Sequence, residues 1–187
     1  MSEPSRGPGP GAPLARVPRE LPKWARRLAL AATLCIVSSP LTAYLIDSGL
    51  DDPAEAERAC HAVLQAVIPR VETAFIDAYT DVDELPTHAK AAQAALFEMG
   101  RARGEGDPGM AIDLDVSQPE HVRLLYAFAS WSIGTELYDD GMRWVAYISD
   151  TASSVSFNVT EEEAVSIRAA LKDIPMITHL EHDRRRP

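Results

Sequence analysis

The chain has 187 residues, 25% of them charged, and a formal net charge of −10. That length supplies one modest domain with a real core, and the acidic balance excludes a typical nucleic-acid binder, because phosphate neutralisation needs clustered Lys and Arg. Two cysteines, Cys35 and Cys60, give no disulfide framework.

The charge is unevenly placed. Residues 1–27 hold six basic side chains (Arg6, Arg16, Arg19, Lys23, Arg26, Arg27) against Glu3 and Glu20, so the remainder carries about −14. Residues 1–22 are rich in Pro, Gly and Arg and lack periodic apolar positions. They read as a disordered cytoplasmic tail.

Next comes an uncharged run, 28–46, opening at Leu28 and closing on Ile46. As a helix it spans about 28 Å, close to a bilayer's hydrocarbon thickness. Lys23, Arg26 and Arg27 precede it, and Asp47, Asp51 and Asp52 follow it. Trp24 and Tyr44 fall near its two ends, at headgroup level. Residues 23–47 therefore read as a single-pass transmembrane signal-anchor in contact with membrane lipid, with the N-terminus cytoplasmic and the acidic domain extracytoplasmic. Cleavage is disfavoured, because Leu41 precedes the small residue Ala43 by two positions. Pro40 within the run predicts a kink.

Residues 48–180 are expected to form an α+β extracytoplasmic domain: a helical pair, then a small antiparallel sheet with two further helices. From Pro53 to Tyr79 the apolar residues Ala56, Cys60, Val63, Leu64, Val67, Val71, Ala74, Phe75 and Ala78 recur at helical spacing. They predict one long helix kinked at Pro69. Ala89, Ala92, Leu96 and Met99 predict a second helix, opened by Pro86 and ending by Gly104. The loop 104–109 (GEGDPG) has the glycines of a phosphate cradle but no Lys-Ser/Thr after it.

Met110, Ile112, Leu114 and Val116 alternate with Ala111, Asp113 and Asp115, predicting a strand with its acids outward. Ser117 and Glu120 have the spacing of a capping box for a helix reaching about Ser132. A hairpin follows, with Asp139-Asp140-Gly141 as its turn. Val155, Phe157 and Val159 mark a further strand. Thr160 and Glu163 make another capping box, for a helix that stops at Pro175. Met176 to Leu180 suits an edge strand, and residues 181–187 form a charged tail.

No catalytic, cofactor or metal signature emerges. Cys60 and His61 are neighbours on a helix and point about 100° apart, which is poor for a nucleophile and its base. His179 and His182 with Glu181 or Asp183 are the densest set of metal-type ligands, but the spacing matches no zinc signature. Tyr126, Trp131, Tyr138, Trp144 and Tyr147 cluster around the hairpin as core aromatics, with one or two available for a binding surface. The expectation is a membrane-anchored binding domain without catalytic activity, open to a basic protein partner. A soluble acidic inhibitor or immunity-type protein is the alternative, and a metal-dependent enzyme built on the terminal histidines is the third reading.

Overall fold

The computed structural model describes residues 40–185. They build an α+β domain on a seven-stranded antiparallel sheet: β1 Thr42–Ile46, β2 Thr73–Ile76, β3 Ile112–Asp115, β4 Gly134–Tyr138, β5 Trp144–Ser149, β6 Ser154–Val159 and β7 Ile177–Thr178. The spatial order is β3-β2-β4-β5-β6-β1-β7. Five α-helices accompany it: α1 Pro53–Val67, α2 Thr87–Arg103, α3 Pro119–Phe128, α4 Glu161–Ala170 and α5 His179–Arg185.

β1 corrects the largest sequence expectation. The uncharged run does not continue as a helix to Ile46, because Thr42–Ile46 is a strand hydrogen-bonded to β6 on one side and β7 on the other. Tyr44, Leu45 and Ile46 are buried. The Tyr44 ring stacks on Phe157 at 6.0 Å, and its hydroxyl accepts from the Arg168 guanidinium at 3.1 Å. A segment rich in β-branched and aromatic residues suits a pleated, buried site as readily as it suits lipid. The domain therefore begins before residue 48. Residues 28–39 of the run lie outside the described residues, and among the described residues no helix is long and apolar enough to cross a membrane.

The second correction falls at Pro69. α1 ends at Val67, Ile68–Arg70 forms a single 3₁₀ turn, and the chain then becomes β2. Proline lacks the N–H for the helical ladder and crowds the carbonyl four residues back, so it stops the helix instead of kinking it. In the strand that follows, Ala74 and Ile76 point into the core and Phe75 points away. The sheet is consequently wider than the sequence suggested by the two strands β1 and β2.

Other elements form near their expected places, but α4 ends at Ala170 and not at Pro175, and β7 gives way at His179 to a helix where an edge strand and a tail were expected. α2 ends on Gly104 at φ 80°, with Pro86 as its N-cap residue. The Thr160 hydroxyl accepts from the Glu163 N–H and the Glu163 carboxylate from the Thr160 N–H, completing that capping box. The Ser117 box does not form: Gln118 is the N-cap residue of α3 without a side-chain bond, and the Asp115 carboxylate holds the Ser117 N–H instead. α3 stops at Phe128, and Ala129–Trp131 is a 3₁₀ turn.

The register puts Ala74, Leu114, Leu137, Ala146, Phe157 and Tyr44 in one row across the sheet. This row faces the core, together with Cys60, Val63, Leu64 and Val67 of α1. Asp113, Phe75, Glu136, Tyr147, Ser156 and Leu45 form the adjacent row and face the other way. At the β1 end that second face is covered by α5, and Leu45 is buried there. Towards β4 and β5 it opens, and Glu136 and Tyr147 are exposed.

Candidate functional site

Two concave regions meet at the turn joining β5 to β6. That turn carries three successive residues at positive φ: Asp150 at 47°, Thr151 at 55° and Ala152 at 59°. Each costs about 1–2 kcal/mol for an L-residue, and Thr151 is β-branched besides. The turn is held by its surroundings. The Asp150 N–H donates to the Ile133 carbonyl at 3.0 Å, the Thr151 N–H to the Ser132 carbonyl at 2.9 Å, and Ala152 is fully buried. Strain sustained in this way fixes Asp150 in place between the two concavities.

The first region is a cleft of about 550 Å³ on the uncovered sheet face, lined by Phe75, Asp77, Glu136, Tyr147 and Asp150 among others. Asp77 is anchored: its Oδ1 accepts from the Ala111 N–H at 2.7 Å, and its own N–H donates to the Gly134 carbonyl at 2.9 Å. Gly134 leaves room for this carboxylate, because a Cβ there would meet Asp77 Oδ2 at 2.8 Å and displace it. Glu136 Oε2 accepts from the Tyr138 hydroxyl at 2.6 Å. Phase and register place Tyr147 directly across from Glu136. Burial and then the charges of Asp150, Glu136 and Asp77 push the Tyr147 phenol above its ordinary range. Three carboxylates thus project a common negative field onto one exposed aromatic ring, an arrangement suited to a cationic group.

The second region is a cleft of about 480 Å³ on the other side of Asp150. Its walls are the β1–α1 loop, the 3₁₀ turn Ala129–Trp131 and the strained turn. Ser130 Oγ and Trp131 Nε1, both on residues more than nine-tenths buried, have no hydrogen-bond partner. Thr135 Oγ1 also lacks one, but Thr135 belongs to the core-facing side of β4 and lines neither cleft.

The sequence-level candidates settle elsewhere. Cys60 is fully buried in α1, and burial and then the Glu57 charge push its thiol far above the ordinary range, which makes it inert. His61 Nε2 lies 2.9 Å from the Tyr126 carbonyl oxygen, so it is bound to backbone and not to the thiol. His182 Nε2 sits 3.7 Å from Asp47 Oδ2, and His179 Nε2 is buried without a partner. Among the described residues no group of three or more His, Cys, Asp or Glu is placed to hold a metal ion. The glycine loop after α2 is the reverse of a phosphate cradle: its carbonyls turn inward, and the Arg103 guanidinium donates to those of Glu105, Asp107, Met110 and Ala111.

Of the five aromatics expected to cluster around the hairpin, Trp131 is buried, Tyr126, Tyr138 and Trp144 are half-buried, and Tyr147 is exposed; Tyr126 packs on His61 and Tyr138 on Phe75. The signal for the uncovered face was in the sequence. Glu136 alternates with Thr135 and Leu137 and marks the outward side of β4, and the hairpin then carries Tyr147 to that side. The orphaned Ser130 and Trp131 had no such signal, since they read as the end of a helix. Comparison with protein families, with curated proteins and with solved structures brings out no match, so the reading of these clefts rests on their own geometry.

Proposed function

We propose that the domain is a non-catalytic binding module that takes a basic side chain of a protein partner on its uncovered sheet face. The observation that carries this reading is the exposed Tyr147 ring with Asp77, Glu136 and Asp150 around it. An arginine guanidinium stacks on an aromatic face and donates to carboxylates at once, so one side chain satisfies the whole arrangement. The fixed turn at Asp150 and the anchored Asp77 reduce the ordering needed on binding.

The test uses the full chain and an arginine-containing hexapeptide, titrated at physiological salt. Tyr147→Ala and Asp150→Asn are each expected to weaken binding about tenfold, in line with about 1–2 kcal/mol for a desolvated cation on a ring with its counter-charge. Asp83→Asn, an equal charge change at an exposed position that does not line the cleft, is expected to change it less than twofold. Equal losses for all three variants would reduce the effect to net charge.

The same reading places the module outside the cytoplasm, attached through its N-terminal segment. With Thr42–Ile46 in the sheet and residues 40 and 41 in no helix, the uncharged run leaves 12 residues, 28–39, for an anchor, about 18 Å at helical rise. A span of bilayer thickness then also needs residues ahead of Leu28. Leu34→Arg is expected to move the protein into the soluble fraction on carbonate extraction, because a central charge costs about 2.5–3.5 kcal/mol on insertion. A wild-type chain that is already soluble would remove the anchor from the proposal.

A further inference from the structure

α5 and the uncovered strands lie side by side on one surface, and each supplies what the other lacks. α5 packs over β1 and β7 and covers that end of the second sheet face. With its side chains a helix is about 10–12 Å across, and neighbouring strands lie about 4.8 Å apart. The open strip beyond α5, over β5, β4 and β2, is therefore wide enough for one more helix. It presents Tyr147 and Glu136, with Asp77 and Asp150 at one end.

The outer side of α5 has the complementary character. His179 and His182 are half-buried, and His182 Nε2 lies 3.7 Å from Asp47 Oδ2. At 100° per residue this inward pair puts Leu180 and Arg184, one turn apart, on the outer crest. Leu180 is 71% exposed, more than any other large apolar side chain among the described residues, and Arg184 is exposed as well. Glu181 and Asp183 fall on the shoulders of the helix, and the Glu181 carboxylate is turned back to accept from the Thr178 N–H at 2.8 Å and its hydroxyl at 2.9 Å. In sequence Arg184 is followed by Arg185 and Arg186, a basic end on an otherwise acidic domain.

The two surfaces also match in height along the strands. α5 begins after Thr178, which pairs with Tyr44, and reaches Asp47 at His182. The register carries the level of Leu45 through Ser156 to Tyr147, and that of Ile46 through Val155 to Ile148. Leu180 thus stands near the level of Tyr147, and Arg184, beyond His182, near that of Asp150. A two-fold axis parallel to the strands keeps these heights and exchanges the two halves of the surface, so that each half meets the other half of a second copy.

The geometry points to a second copy of this chain as the occupant of the open strip: α5 of each copy lies on the uncovered strands of the other, Leu180 against Tyr147 and Arg184 among Asp77, Glu136 and Asp150. This names the partner for the basic-side-chain site proposed above and rests on that reading. Both contacts form at once, and the assembly closes at two copies.

The test is sedimentation velocity of the full chain in density-matched detergent at physiological salt, over a range of chain concentrations. A monomer and a dimer in exchange are expected, with a Kd on the order of 10–100 μM, as two short contacts allow. Arg184→Glu and Glu136→Arg, both at exposed positions, are each expected to weaken the dimer at least about tenfold, because each sets like charges opposite one another twice. Leu180→Ser is expected to weaken it several-fold without a charge change. An equal mixture of the two charge variants is expected to restore the dimer to within about threefold of wild type, since one contact is then native and the other has its charges exchanged. A chain that stays monomeric would overturn the inference. The sheet-face reading then stands if the arginine peptide still binds through Tyr147, and falls with it if the peptide does not bind. A monomer whose peptide binding tightens on Arg184→Glu would make the chain's own tail the occupant and overturn the second copy. So would a dimer untouched by all three variants, or charge variants that stay apart when mixed.

Discussion

A fragment beginning at residue 51 is expected not to fold, whereas one beginning at residue 40 is expected to unfold cooperatively. The difference is β1. Tyr44, Leu45 and Ile46 are 4%, 6% and 0% exposed, and burying each contributes about 1.5–3 kcal/mol. Removing them also unpairs the β6 edge and leaves β7 with no neighbour in the sheet. A loss of about 5–9 kcal/mol is comparable to the whole stability of a domain, about 5–15 kcal/mol. Urea unfolding followed by circular dichroism distinguishes the two fragments. A sigmoidal transition for 51–187 at the midpoint of 40–187 would remove β1 from the core.

That expectation reverses the domain boundary drawn from hydropathy, and the reason is physical. A buried strand and part of a membrane helix are both short uncharged apolar stretches. Only length and partners separate them, and the partners of Thr42–Ile46 lie more than a hundred residues away in β6 and β7. β2 was hidden similarly: Val71, Ala74, Phe75 and Ala78 continued the helical spacing of α1 by chance across Pro69. Several local rules were readable, although the Ser117 box was not one of them. The alternation of β3 and β6, the Thr160 box and the Gly104 stop form as their residues dictate, and the hairpin turn at Asp139 forms with Met142, not Gly141, at positive φ. The turn at Asp139 does so through its carboxylate. Burial raises that group's pKa, but the Arg143 and Gly141 N–H groups and the Arg143 guanidinium prevail and hold it below the ordinary range. For the clefts, the outward side of the hairpin was legible from Glu136. The unpartnered Ser130 and Trp131 were not, because nothing local shows that a hydroxyl and an indole N–H find no partner.

Gly100→Ala is expected to destabilise the domain by about 2–4 kcal/mol, opposite in sign to helix propensity, which favours alanine by about 1 kcal/mol. Gly100 lies in the last turns of α2, and a Cβ there would meet the Pro108 carbonyl oxygen at 1.8 Å and its carbon at 2.7 Å. The obstacle is backbone, and it does not yield easily. Arg103 ties the loop by its carbonyls, and Asp107 Oδ1 accepts from the Tyr79 hydroxyl at 2.9 Å and from the Gly109 N–H at 2.8 Å. The melting temperature is expected to fall by roughly 5–15 °C. Gly104→Ala meets nothing within 4 Å and costs only its left-handed φ, about 1 kcal/mol. A Gly100→Ala melt at or above wild type would show that helix and loop are not in contact.

The position of β1 also sets the order in which the chain can fold. The Tyr44 hydroxyl donates to Glu161 Oε2, 117 residues downstream, and accepts from Arg168, 124 residues downstream. Closing a loop of that size costs about 4 kcal/mol before any contact offsets it, and such long-range pairing slows folding. During synthesis β1, the first strand among the described residues, is therefore among the last to pair. Until β6 and α4 emerge, Leu45 and Ile46 remain exposed next to the uncharged residues that precede them. One continuous greasy stretch is available to a chaperone or a translocation channel for most of the time the ribosome takes to make the chain. Once β6 pairs with β1, its last residues are withdrawn into the sheet.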